Sequence, residues 1–116
     1  MPIGLNELYQ FAALVSKRNG ALSMCVMMPR IVCNDGFSFS AQAGSALYSI
    51  PRVDRSENGY AAFELGFPSE HEEMLDEYVE WYGYDEPNWT KSVYPYVPLK
   101  LIDEMIEKHG GIIGFR

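Results

Sequence analysis

Apolar residues recur along this chain at two periods, one helical and one of two residues, and Gly, Pro and Asn mark the switches between them. Leu5, Leu8, Phe11, Ala12 and Val15 fall on one face of a helix from about Leu5 to Lys17, with Asn19-Gly20 as its stop. Leu22 to Met28 is apolar, Pro29 interrupts it, and Arg30 to Cys33 resumes a β-type pattern. Pro29 therefore belongs at a strand start or edge. Asn34-Asp35-Gly36 is a tight-turn signal, and the run after it alternates. Phe37, Phe39, Ala41 and Ala43 share one face, and Ser38, Ser40 and Gln42 the other. Gly44 to Ile50 predicts a further strand closed by Pro51, and Val53 to Gly59 a polar loop. In the strand predicted over Tyr60 to Phe67, Ala61, Phe63, Leu65 and Phe67 face away from Tyr60, Ala62 and Glu64.

Ser69 and Glu72 have the spacing of a capping box and predict a second helix, ending at Gly83. Met74, Leu75, Tyr78, Val79 and Tyr82 form its apolar stripe. Val93 to Val97 suits a short strand, placed at an edge by Pro95. Pro98 suits the first turn of a last helix, LKLIDEMIEKHGG, with Leu101, Ile102, Met105 and Ile106 facing inward and Gly110-Gly111 ending it. The order α-β-β-β-β-α-β-α predicts an α+β fold. A single domain over residues 1–116 would pack an antiparallel β-sheet with an N-terminal helix, an acidic middle helix and a C-terminal helix.

Charge changes this picture at one place. Glu70, Glu72, Glu73, Asp76, Glu77, Glu80, Asp85 and Glu86 are eight of the sixteen acids, with no Lys or Arg among them. The other 99 residues carry 8 acids against 9 bases, so the net charge of −7 resides in that one segment. With 116 residues, 47% of them hydrophobic, the chain suffices for one core. It has no apolar run long enough to span a membrane and no pattern of a signal peptide, which predicts a cytoplasmic protein. Cys25 and Cys33 are too few for a disulfide framework and are expected as free thiols.

Catalytic motifs are missing: there is no Gly-rich phosphate loop, no G-x-S-x-G and no H-E-x-x-H. His71 falls in the first turn of the acidic helix and His109 beside a helix C-terminus, where an imidazolium complements the dipole. A triad of Cys33, His109 and Glu64, or a zinc site from Cys25, Cys33, His71 and His109, can be assembled from the residue types, but no spacing supports either. The expectation is a protein that is not an enzyme, with no catalytic residue, no cofactor and no metal.

Two surfaces remain as candidates. Ser38, Ser40 and Gln42, followed by Ser45, Tyr48, Ser49 and Arg52, would line a polar pocket for an anionic or nucleotide-like ligand, with Arg52 as the anion partner; the alternative is a solvated sheet face. In the acidic segment, carboxylates interleave with Tyr78, Trp81, Tyr82, Tyr84 and Trp89. That pattern imitates the phosphates and bases of nucleic acid and would fit a basic groove on a nucleic-acid-binding protein. Its alternative is a solvated amphipathic helix. Direct nucleic-acid binding is disfavoured, because no basic stripe is present. The aromatic stretch from Tyr82 to Tyr96 leaves a homodimer open.

The string MPRIVCNDGFSFSAQAG, then Ile50-Pro51-Arg52, FELGFPSE and YPYVPLKLIDEMIEKHGGI, carries a PRI, DGFS, QA, PR, GFPS, YVP and KHGG pattern. Over roughly Met28 to Ile113 it resembles a group of small proteins of tailed phages and prophages. The resemblance implies phage origin and action in the host bacterial cytoplasm, and supplies no catalytic residue. It favours an inhibitor of a host nucleic-acid-binding defence protein, of the anti-CRISPR or nucleic-acid-mimic type. That inhibitor would bind through Glu70, Glu72, Glu73, Asp76, Glu77, Glu80, Trp81, Tyr84, Asp85, Glu86 and Trp89. The alternative is a protein that sequesters a nucleotide signal through Ser38, Ser40, Gln42 and Arg52.

Overall fold

The computed structural model describes Leu5, residues 28–83 and residues 85–116. Most of the predicted first helix, its Asn19-Gly20 stop, the apolar run before Met28, Cys25 and Tyr84 lie outside the described residues. Five strands form one antiparallel sheet in the order β4-β3-β2-β1-β5. They are β1 (Ile31–Cys33), β2 (Ser38–Gln42), β3 (Ala62–Gly66), β4 (Val93–Pro98) and β5 (Ile112–Phe115). One α-helix, α1 (Leu99–Lys108), and two 3₁₀ segments, Glu73–Tyr78 and Trp89–Lys91, complete the described elements. The antiparallel sheet with few helices is an α+β arrangement. No described helix is long and apolar enough to cross a membrane.

The turn chemistry of Asn34-Asp35-Gly36 closes the β1–β2 hairpin. Gly36 N–H donates to Cys33 O at 3.0 Å and takes a φ of 95°, and Asp35 Oδ1 accepts the Phe37 N–H at 2.9 Å. Alternation along β2 then buries Phe37, Phe39, Ala41 and Ala43. They join Phe63 and Leu65 of β3, Tyr94 and Val97 of β4, and Ile102, Met105 and Ile106 of α1 in one apolar core that also holds Leu5, Met28 and Leu75. The helical spacing of Ile102, Met105 and Ile106 gives α1 its single inward stripe. Pro98 is its N-cap, and β4 lies at a sheet edge, where Pro95 removes no ladder bond.

Three elements differ from expectation. Residues 44–49 form turns rather than a strand. Ser49 Oγ accepts the Gly44 N–H at 3.1 Å, and the Ser45 N–H and hydroxyl both donate to the Asp54 carboxylate at 2.9 Å. Such local side-chain bonds compete with ladder pairing, and within that run only Ile50 pairs, with Ala62. Beyond α1 the chain forms β5, where the sequence pattern predicted only a helix stop. Gly110 and Gly111, with φ of 90° and 89°, end α1 with the Gly111 N–H on Ile106 O at 2.9 Å, and turn the chain back to pair with β1. The third difference is the acidic segment.

Candidate functional site

The acidic segment folds as a six-residue 3₁₀ helix rather than an α-helix reaching Gly83, and Val79 is already extended. Glu73, Asp76, Glu77 and Glu80 stand three and four residues apart, where like charges destabilise an α-helix, and no base occupies the last turn. The backbone finds other partners instead, with the Glu80 N–H donating to Val93 O at 2.9 Å beside β4. Leu75 is the segment's fully buried anchor. Ser69 is not the helix cap, because its N–H and hydroxyl bond Ser38 O and Ser38 N–H at 2.8 and 2.9 Å, tying the loop to β2. The cap is Glu72, whose carboxylate accepts the Met74 N–H at 3.4 Å.

Glu72 was expected on the partner-binding surface and is instead only 4% exposed. One carboxylate oxygen accepts from His109 Nε2 at 2.7 Å, and both accept from Lys108 Nζ at 2.9 Å. His109 Nδ1 reaches Asp35 Oδ2 at 2.6 Å, and its ring stacks on Phe37 with centroids 4.1 Å apart. Burial opposes the charged ring, but the bonds to Asp35 and Glu72 outweigh it and raise the His109 pKa. With a carboxylate on each nitrogen, His109 is an imidazolium donating twice. Burial likewise opposes the Glu72 charge, and the bonds from Lys108, His109 and the Met74 N–H overcome it to hold its pKa down. His109 is the C-cap residue of α1 through its backbone N–H, while its ring, expected to complement the helix dipole, bonds Asp35 and Glu72. The triad with Cys33 and Glu64 is not assembled. Asp35 and Glu72 occupy both ring nitrogens, Glu64 accepts the Tyr48 N–H, and burial pushes the Cys33 thiol up to about 11. Of the zinc set, Cys25 lies outside the described residues, His71 bonds Asp76 and stacks on Trp89, and His109 bonds Asp35 and Glu72.

The remaining acids do face solvent. Glu70, Glu73, Asp76, Glu77, Asp85 and Glu86 are exposed and Glu80 is half-buried. Tyr82 is 88% exposed and Trp81 41% exposed, while Trp89 is half-buried. Within this face lies an open groove of about 440 Å³ lined by His71, Trp81, Glu86, Pro87, Asn88, Trp89 and Thr90. Its walls are positioned from below. The Tyr94 hydroxyl, in the core, donates to Trp89 O at 2.6 Å, and the Ser92 hydroxyl donates to Asn88 O at 2.7 Å. Trp89 Nε1 donates to Glu86 Oε1 at 2.9 Å, and Trp81 Nε1 to Asp85 O at 2.7 Å. His71 stacks on Trp89 at 4.0 Å with 9° between planes, and its Nε2 meets Asp76 Oδ1 at 2.7 Å.

The structure thus brings together Asp76, Trp81, Asp85, Glu86 and Trp89 of the predicted face and adds His71, which the sequence pattern placed only in a helix turn. No spacing rule links His71 with Trp89; the loop between them does.

The Ser38 strand directs much of its polarity into the protein. Ser38 is fully buried, its hydroxyl accepting from Arg30 Nε at 2.9 Å and Arg116 Nη2 at 3.1 Å. Arg30 also donates to Ser38 O and Phe67 O. Gln42 bonds both backbone groups of Met28, at 2.9 and 2.8 Å, and donates to Ser40 Oγ at 3.1 Å. Arg52 lies apart from them, donating to Leu47 O at 3.0 Å with its guanidinium 5.3 Å from the Tyr48 ring centre. Of the residues expected to line a pocket or a solvated face, Ser38 and Gln42 are buried and bonded within the protein, Ser40 is half-buried, and Arg52 is exposed. Comparison of the chain with known protein families, with characterised proteins and with solved structures finds no match.

Proposed function

We propose that this protein is a non-enzymatic binding protein, an inhibitor of phage origin, whose acidic aromatic face occupies the cationic surface of a host nucleic-acid-binding defence protein. The observation that carries this is the groove between Trp81 and Trp89, set in a segment of exposed carboxylates without a single Lys or Arg. Carboxylates of one sign steer a basic partner and keep other acidic surfaces away, while clefted tryptophans supply the desolvated contact area of binding hot spots. Ser38 and Gln42 direct their hydrogen bonds inward, so no observation favours sequestering of a small ligand.

The test is displacement of duplex DNA or guide RNA from purified bacterial defence effectors, with the E73K/D76K/E77K/E80K variant as control. The expected result is displacement that weakens as salt rises and is lost in the variant, whose near-UV circular dichroism stays unchanged. Full displacement by the charge-reversed protein overturns the proposal.

A further inference from the structure

We infer that the groove between Trp81 and Trp89 receives an arginine side chain from the partner. The inference rests on the function proposed above and names the contact at its centre.

Both indole N–H groups are already committed, Trp81 to Asp85 O and Trp89 to Glu86 Oε1. The tryptophans therefore offer the groove aromatic surface rather than donors. The charge around it is negative, with exposed Glu86, Asp85 and Glu70 nearby in the chain and Asp76 bonded to His71. A phosphate or a carboxylate meets repulsion there. A cation meets carboxylates and the faces of tryptophans, which attract it more strongly than other aromatic rings.

The shape of the site distinguishes between cations. A guanidinium is planar and weakly hydrated, and it stacks on indole while its edge donates to a carboxylate in the same plane. An ammonium is a strongly hydrated point charge that does one or the other less well. His71 already covers one face of the Trp89 indole at 4.0 Å, so the exposed Trp81 ring is the stacking surface for the guanidinium, and Glu86, whose Oε1 is held 2.9 Å from the Trp89 nitrogen, is the carboxylate lining the same groove. Aromatic surface and carboxylate thus line one groove, and a guanidinium engages both kinds of group at once. An open groove also suits a protruding side chain better than an enclosed small ligand.

Both tryptophans of the chain line this groove, so intrinsic fluorescence and the two indole N–H cross-peaks report on it alone. The experiment titrates the full chain with octa-arginine and with octa-lysine at the same low salt, and repeats both with Trp81→Ala. Trp81 is 41% exposed, so its truncation leaves the core intact, as an unchanged thermal midpoint will verify. The expected result is tighter binding of octa-arginine, by about threefold to tenfold, with both indole cross-peaks shifting. In W81A the two peptides converge on the octa-lysine affinity. Equal affinity in the wild type, or an arginine preference that survives W81A, overturns the arginine groove and leaves the acidic docking face standing. Failure of both peptides to bind overturns the groove and the docking face together.

Discussion

Nε2 of His109 and Oε1 of Glu72 lie 2.7 Å apart across 37 residues of sequence, and both side chains are buried. The contact joins the C-terminus of α1 to the entry of the acidic segment. Through Asp35 it also reaches the β1–β2 turn. Three distant parts of the chain are thus held by one imidazolium and two carboxylates, with Lys108 as the outer cation.

Glu72→Ala removes the shared acceptor and leaves His109 with one carboxylate instead of two. Breaking a buried charge pair from one side destabilises by about 3 kcal/mol at the low end of the usual range, since half-exposed Lys108 can turn to water. Urea unfolding should show that loss. Glu73→Ala, one residue on and exposed, should change stability by less than about 0.5 kcal/mol.

The same cluster sets the pH dependence of stability. The His109 pKa is raised in the folded protein from its ordinary 6.5, so its contribution is complete below about 6.5 and is lost as pH climbs through the folded value. The Glu72 pKa is lowered from 4.5, so its contribution is complete above about 4.5 and is lost as pH falls through the folded value. Asp35 has the same sign, its carboxylate held ionised first by the Phe37 N–H and then by His109. The unfolding midpoint should therefore form a plateau between these limits, and His109→Gln should remove the fall on the alkaline side while keeping the acid limb.

Ser38 was expected to face a ligand or solvent and instead anchors two arginines. Ser38→Ala removes the oxygen that Arg30 and Arg116 share inside the protein, and bonds to charged groups of this kind contribute about 2 kcal/mol. A drop of that size in unfolding free energy is expected, with no change in binding of nucleotides or of basic peptides. A nucleotide-dependent thermal shift in the wild type, abolished in S38A, would return the polar strand to candidacy as a ligand site.

How far these features could be read from the sequence follows from the range of the interactions. Local signals held. The Asn34-Asp35-Gly36 turn, the buried Phe37-Phe39-Ala41 face, the edge strand with Pro95 and the stripe of α1 are set within a few residues of one another. Residues 44–49 were misjudged for local reasons, since Ser49 and Asp54 bond the turn from within ten residues, and the other misjudged positions have distant partners. Alternation marked Ser38 and Gln42 as a polar face, but could not show that Arg116, 78 residues away, covers Ser38. The Ser69 and Glu72 spacing fitted a capping box, while β2 drew Ser69 away and His109 with Lys108 drew Glu72 inward. β5 lacked a signal of its own, since Ile112–Phe115 is short and its pairing depends on two glycines that invert the chain. In the groove, the acids and tryptophans were legible as a face, and His71 became part of it through Trp89.

Gly83 gives the last prediction, because it separates the shape of the groove from the stability of the fold. A Cβ at this position would stand 2.5 Å from Cζ2 of Trp81, so the indole folds back over residue 83 only while no side chain is there. Gly83 is exposed, and alanine there reduces the freedom of the unfolded chain, a gain of about 0.4–1 kcal/mol where the backbone tolerates it. Gly83→Ala should therefore keep or slightly raise the unfolding midpoint. It should also displace the Trp81 ring and break its 2.7 Å bond to Asp85 O. The readouts are one shifted indole N–H cross-peak, red-shifted emission and a weaker preference for octa-arginine, with octa-lysine binding unchanged. An unmoved Trp81 resonance in G83A would show that the indole does not fold back over this turn in solution.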